Sequence, residues 1–176
     1  MARRDSEFQT ISSEGGLLPP DLLRRVLDPH AKLVGTAPGD YGLPPGERLN
    51  EGITQSWNRL RKHWVEFRAA AKNMPVGEPG TGLTNDKWSV PLLRELSFGL
   101  LPASTAPTID GKAYAINRFF GGTAIHLIGC GLSLDRRTAG ARGAATANPH
   151  GLVQDFLNRS NAHLWAILSN GLRLRV

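Results

Sequence analysis

The sequence predicts an α+β fold, and three observations carry that reading. Up to about Gly99 the apolar residues recur at helical spacing, with Pro/Gly-rich connections between the helices. Beyond Asp110 the pattern becomes strand-like, with turn signals at Gly121-Gly122 and Asn170-Gly171. One capped helix separates the two hairpins so marked, and helices segregated from hairpins make the class α+β.

In "GGLLPPDLLRRVLDP" a loop leads to Pro19-Pro20 and Asp21 at a helix start, Leu22, Leu23, Val26 and Leu27 supply an apolar stripe, and Pro29 ends it. "APGDYGLPPGE" is an irregular connection. The strongest helix signal follows: Ile53, Trp57, Leu60, Trp64 and Phe67 share one face of a helix running to about Lys72, and that stripe is expected to be buried. After "NMPVGEPGTGLTN", Thr84 or Asn85 can cap a helix through "DKWSVPLLRELSFG", with Pro91 as a kink or first turn and Gly99 as its end.

"KAYAINRFF" reads as a strand, Gly121-Gly122 as a turn and "TAIHLIGCGLSLD" as a second strand with Ile125, Leu127 and Gly129 on one face, His126 facing outward. "RRTAGARGAATA" is a basic loop of small residues. Asn148 caps a helix with Pro149 in its first turn and Leu152, Val153, Phe156 and Leu157 on its inner face. The last hairpin, Ala162 to Val176, turns at Asn170-Gly171 and reads as cut off at the C-terminus. The domains expected are a helical segment over 1–82 and an α+β domain over 83–176, incomplete at its C-terminal end.

Charge is unevenly placed. Residues 1–110 hold 13 Lys or Arg against 13 Asp or Glu, and residues 111–176 hold 8 against 2, so the whole net charge of +6 lies in the second part. A basic region of this kind points to a polyanion, nucleic acid first. The residues expected to contact a phosphate backbone are Arg136, Arg137 and Arg142 of the basic loop, with Lys112 and Arg118 nearby in sequence. Cys130 is the only cysteine, which excludes an internal disulfide and a multi-cysteine metal site. With no signal-peptide core and no run of roughly 20 apolar residues, the expected location is the cytoplasm.

Other motifs are weaker. "LIGCG" has the look of a cofactor-binding glycine turn, yet no helix pattern follows Gly131 and Asp135 comes four residues later instead of roughly 20, so a glycine-containing strand or bulge is expected. Asp110-x-Lys112 has the spacing of a magnesium-dependent nuclease, which would draw a second acid from Glu95 or Asp86. Asp110-Gly111 is equally a turn dipeptide ahead of a strand. The five histidines show no ligand spacing, Ser133 and Ser169 have no histidine partner near in sequence, and no nucleophile motif is present. No metal or catalytic residue is expected.

"TNDKWSVPLLRELSFG", "YAINRFF", "IHLIGCGLSLDRR", "LVQDFLNRS" and "HLWAILSNGLRLRV" together resemble the N-terminal region of large bacterial adenine-specific DNA methyltransferases, the type IIG-like restriction-modification and DISARM-type phage-defence methylases. The resemblance covers about Leu83 to Val176 and is less distinct before it. It implies a methyltransferase core further downstream, with a glycine-rich S-adenosylmethionine loop and an Asn-Pro-Pro-aromatic motif. "NPHG" lacks the second proline and the aromatic, so no catalytic residue carries over and no cofactor is expected on this chain, S-adenosylmethionine belonging to the full-length protein. The resemblance thus implies a non-catalytic N-terminal fragment serving DNA engagement or assembly with other defence-system proteins. The alternatives are the nuclease-like domain and a protein-interaction module built on an exposed tryptophan face.

Overall fold

The computed structural model describes residues 19–28 and 30–176, and its fold is α+β. The loop before Pro19 and the stop at Pro29 lie outside the described residues. Backbone proximity divides the chain into two compact units between Ile53 and Thr54.

In the first unit, α1 (Pro20–Leu27) carries proline and Asp21 in its first turn, as its sequence dictates. Its stripe finds no core: Val26 and Leu27 are exposed, and none of the described residues of this unit is buried. A 3₁₀ turn (Pro38–Tyr41) organises the connection, with the Ala37 N–H donating to Asp40 and the Tyr41 hydroxyl to the Gly35 carbonyl.

Helix α2 (Leu49–Lys72) crosses from one unit into the next. Its apolar face is buried only towards its C-terminal end: Phe67 is fully buried, Leu60 and Trp64 are half-buried, and Trp57 is 61% exposed. The expectation of a wholly buried stripe is therefore corrected. Helical spacing places side chains on one face, but the burial of that face begins only at about Leu60, where the helix meets a partner. That partner is a winding run made of α3 (Thr81–Thr84), a π-helical turn (Asn85–Ser89), α4 (Val90–Leu93) and a second π-helical turn (Arg94–Phe98). Trp64 packs on Trp88 with ring centroids 4.8 Å apart, Phe67 stacks near-parallel to Trp88, and Arg59 forks onto the Glu95 carboxylate at 2.8 and 2.9 Å.

The run begins at Thr81, so Thr84 and Asn85 are interior residues and not caps. Thr84 Oγ1 donates back to the Gly80 carbonyl and accepts the Cys130 N–H. Pro91 sits inside the run; having no N–H and a ring that crowds the preceding turn, it is accommodated by the widened π turn, where the Val90 N–H reaches Asn85. The backbone leaves the helical region at Leu96 and Ser97, the latter at φ +66°, so the helix stops ahead of the expected Gly99, which itself lies at φ +64°.

A two-stranded ribbon, β1 (Thr108–Ile109) with β2 (Lys112–Ala113), turns on Asp110 and Gly111, both at positive φ as a two-residue hairpin requires. The main sheet has the order β3-β4-β5-β6, with β3 (Arg118–Phe120), β4 (Thr123–Leu127), β5 (Trp165–Ser169) and β6 (Leu174–Arg175). The expected single strand "KAYAINRFF" is split between β2 and β3, because residues 114–117 leave the ladder. Both expected hairpins form, and a parallel β4–β5 pairing joins them through the crossover that contains α5 (Pro149–Arg159). Asn148 caps α5, accepting the Gly151 N–H at 2.7 Å.

The parallel pair is covered on both faces, as such pairs are. Ala124, Ala166 and Leu168 face Leu152, Val153 and Phe156 of α5, while Ile125, Leu127 and Ile167 face Leu93 and Leu101. His126 accordingly lies in the core at 1% exposure, against the outward orientation its alternation suggests. The final turn also differs by one residue: the Asn170 N–H reaches the Arg173 carbonyl, so Gly171, at φ +78°, occupies the first central position. The Asn170 side chain accepts from Leu172 and Arg173 and donates to Leu132, locking the turn onto the core.

Candidate functional site

The cavity that gathers polar groups opens between the winding helix, the segment before β1, and the approach to β3. Its volume is about 290 Å³. Asn85 enters from the first π turn, Ser104 from the segment before β1, Arg118 from β3, and Arg142 with Gly143 from the basic loop; Ala103, Ala106, Ala115, Ile116 and Leu127 form an apolar wall. The frame is fixed by backbone bonds: Ser104 N–H donates to the Asn117 carbonyl, and the Asn117 side-chain amide exchanges two bonds with the backbone of Leu127, extending the β3–β4 ladder by one rung in side-chain form.

Polar satisfaction sets this cavity apart. Among the described residues, the buried side-chain atoms without a hydrogen-bond partner are Asn85 Oδ1, Ser89 Oγ, Ser104 Oγ, Arg118 Nε and His126 Nδ1, and three of these five belong to residues lining the cavity. Each such group costs about 1–3 kcal/mol unless a water or a ligand atom pairs with it. Burial pushes the Arg118 guanidinium below its ordinary pKa, partly offset by the charge of Asp86. His126 stands directly behind the wall: its Nε2 pairs with the Gly143 carbonyl at 3.0 Å, and burial lowers its pKa. A Cβ on Gly143 would lie 2.8 Å from the His126 ring, so the loop approaches the imidazole this closely only through glycine.

The structure brings Arg118 and Arg142 to this one cavity. Arg136 is exposed, and Arg137, also exposed, spends its Nε on the Ala145 carbonyl. Lys112 is engaged elsewhere: Asp155 of α5 accepts from its ammonium at 2.7 Å, from the Tyr114 hydroxyl at 2.7 Å and from Arg159 at 3.0 Å. The three donors, Lys112 foremost, hold the Asp155 carboxyl far below the usual carboxylate range. A carboxylate depressed in the fold stabilises it above its ordinary pKa and loses that contribution as pH falls through and beneath that value. Asp155→Asn is therefore expected to flatten the acid limb of a stability-against-pH curve below about pH 4, leaving its neutral region parallel to that of the wild type. An unchanged acid limb would show that the cluster does not couple to unfolding.

No family model, no curated protein and no solved structure matches this chain.

The remaining motifs have local explanations. The glycines of "IGCG" serve backbone contact: Gly131 N–H donates to the Pro79 carbonyl, and a Cβ on Gly129 or Gly131 would overlap the Pro79 or Glu78 carbonyl oxygen. Added S-adenosylmethionine is thus expected to leave the melting temperature unchanged, and a saturable rise in calorimetry would overturn this. Asp110 takes the turn position, Glu95 is paired with Arg59, and among the described residues no group of three or more His, Cys, Asp or Glu is placed to hold a metal. No helix among them is long and apolar enough to cross a membrane.

Sequence reasoning missed Asn85 and Ser104. Ser104 sits in a segment without periodicity and left no signal. Arg118 left one: a cation inside the apolar run "AINRFF" must find an exit or an anion.

Proposed function

We propose that this chain is a non-catalytic DNA-engaging region from the N-terminal part of a cytoplasmic DNA adenine methyltransferase of a restriction-modification or phage-defence system. The observation that supports DNA engagement is the construction of the basic loop. Leu134, Ala141, Gly143 and Ala144 are buried, pinning the loop to the core, while Arg136, Arg137 and Arg142 stand exposed. The acid that precedes the loop, Asp135, is held by Arg175 at 2.6 and 2.8 Å and so does not neutralise these arginines. A fixed row of arginines on small residues suits a phosphate backbone, for which guanidinium offers paired donors.

Duplex binding should be indifferent to sequence and fall steeply with salt, and each phosphate contact removed should reduce the slope of log affinity against log salt by roughly one. A salt titration comparing the chain with an Arg136→Ala, Arg137→Ala, Arg142→Ala variant measures this. Equal affinity and slope for the two proteins would refute the loop's role, and absence of binding at low salt would refute DNA engagement by this region.

A second reading, a protein-interaction module, is favoured by Trp57, which α2 holds largely exposed. Assembly with other defence-system proteins would use that face without displacing DNA from the loop.

A further inference from the structure

We infer that the cavity lined by Asn85, Ser104, Arg118 and Arg142 is a binding site for a phosphomonoester with a compact body the size of a pyrimidine nucleotide. This goes beyond the loop reading, since it concerns a recess and a single ligand, and it can stand if duplex binding fails.

Asn85 is 8% exposed and its Oδ1 has no partner, and Ser104 Oγ and Arg118 Nε are likewise buried without one. These atoms come from three separate elements whose backbones are fixed by other bonds, and each is covered by the cavity lining, so a ligand reaches them through a small side-chain shift. An Nε–H only donates, a hydroxyl can donate, and an amide can present its NH₂ group once its side chain turns over. The ligand group that satisfies all of them is rich in acceptors.

Charge narrows the class. Two arginines line the cavity and no acidic residue does; Asp86, the acid that acts on Arg118, lies outside the lining. A phosphomonoester, carrying about −1.5 to −2 charge and three acceptor oxygens at neutral pH, matches two arginines plus neutral donors better than a single-charged carboxylate does. Volume and wall supply the rest. A space of about 290 Å³ is near the lower end of small-molecule sites, which run from roughly 300 Å³ upward, and the alanines with Ile116 and Leu127 give it an apolar side against which a planar body can lie. A free mononucleotide and the phosphorylated 5′ end of a strand share this chemistry.

Calorimetric titration with cytidine 5′-monophosphate, inorganic phosphate and cytidine tests the inference. Expected are saturable binding of the nucleotide, weaker binding of phosphate and none of cytidine. Ser104→Ala and Arg118→Met should each weaken nucleotide binding about tenfold or more, since each removes a donor to a charged group. Ser104→Ala should melt no lower than the wild type, because it deletes an unsatisfied atom; this separates a ligand site from a structural role. A 5′-phosphorylated oligonucleotide binding better than its 5′-hydroxyl counterpart, with the difference lost in Ser104→Ala, would assign the ligand to a strand end. Equal binding of the two oligonucleotides beside saturable nucleotide binding would assign it to the free nucleotide. Nucleotide and cytidine binding alike, neither nucleotide nor phosphate binding, or both variants binding as the wild type does would each overturn the inference. Arg136→Ala with Arg137→Ala, outside the cavity, should lower duplex affinity and leave nucleotide affinity intact, so failure of the loop reading is distinguishable from failure of this one.

Discussion

Replacing Phe67 with alanine is expected to lower the unfolding free energy by about 3–5 kcal/mol, the range for a fully buried aromatic. Phe67 is 0% exposed and stands at the centre of an aromatic group with Trp64 and Trp88. It also closes on the last hairpin, since a Cβ on Gly171 would meet Thr84 Cγ2 at 2.5 Å and the Phe67 ring edge at 3.5 Å. Removing the ring therefore loosens α2, the winding helix and the β5–β6 turn together, and leaves a space the rigid turn cannot fill. Trp57→Ala on the same stripe should change stability by no more than about 0.5 kcal/mol, as for other surface positions. Urea unfolding with unchanged m-values checks both. Comparable losses at the two positions would mean that Trp57 is covered in solution, and the interaction reading would lose the exposed face it rests on.

That contrast marks where sequence stops being informative. Capping by Asn148, the positive-φ turn at Asp110-Gly111 and the helical phase of α2 depend on residues within a few positions of one another, so short-range chemistry prescribes them. What covers an apolar face is decided elsewhere in the chain. Ile53 to Phe67 gives one phase, yet only the stretch opposite Trp88 and Glu95 has a neighbour. The β4 alternation suggests one wet face, and His126 is buried because the crossover returns β5 in parallel alongside it. The candidate site is less legible still. Asn85, Ser104 and Arg118 acquire their common feature, a missing partner, only when three distant segments meet. Arg142 was readable as a cation for a polyanion, but not as part of a recess.

Among the described glycines those of "IGCG" carry the sharpest structural demand, and Gly129→Ala is expected to destabilise the protein by about 3–4 kcal/mol. At Gly129 the added methyl would overlap the carbonyl oxygen of Pro79, a backbone group that cannot swing aside as a side-chain tip can. Relief requires separating the 129–131 segment from residues 78–81, which strains or breaks the Gly131-to-Pro79 hydrogen bond and the bond from Cys130 N–H to Thr84 Oγ1. Overpacking costs about 1–3 kcal/mol where neighbours can adjust, and losing one such bond adds about 1 kcal/mol. Gly82→Ala provides the control three residues from Pro79: it lies in α3, meets nothing within 4 Å, and should stabilise the helix by up to about 1 kcal/mol. Thermal melts of the two variants decide the matter. Because Thr81 and Asn85, just beyond this contact, line the cavity, Gly129→Ala should weaken nucleotide binding as well. A Gly129→Ala protein as stable as the wild type would mean that the two backbones do not approach so closely, and the glycines would again be open to a role in binding.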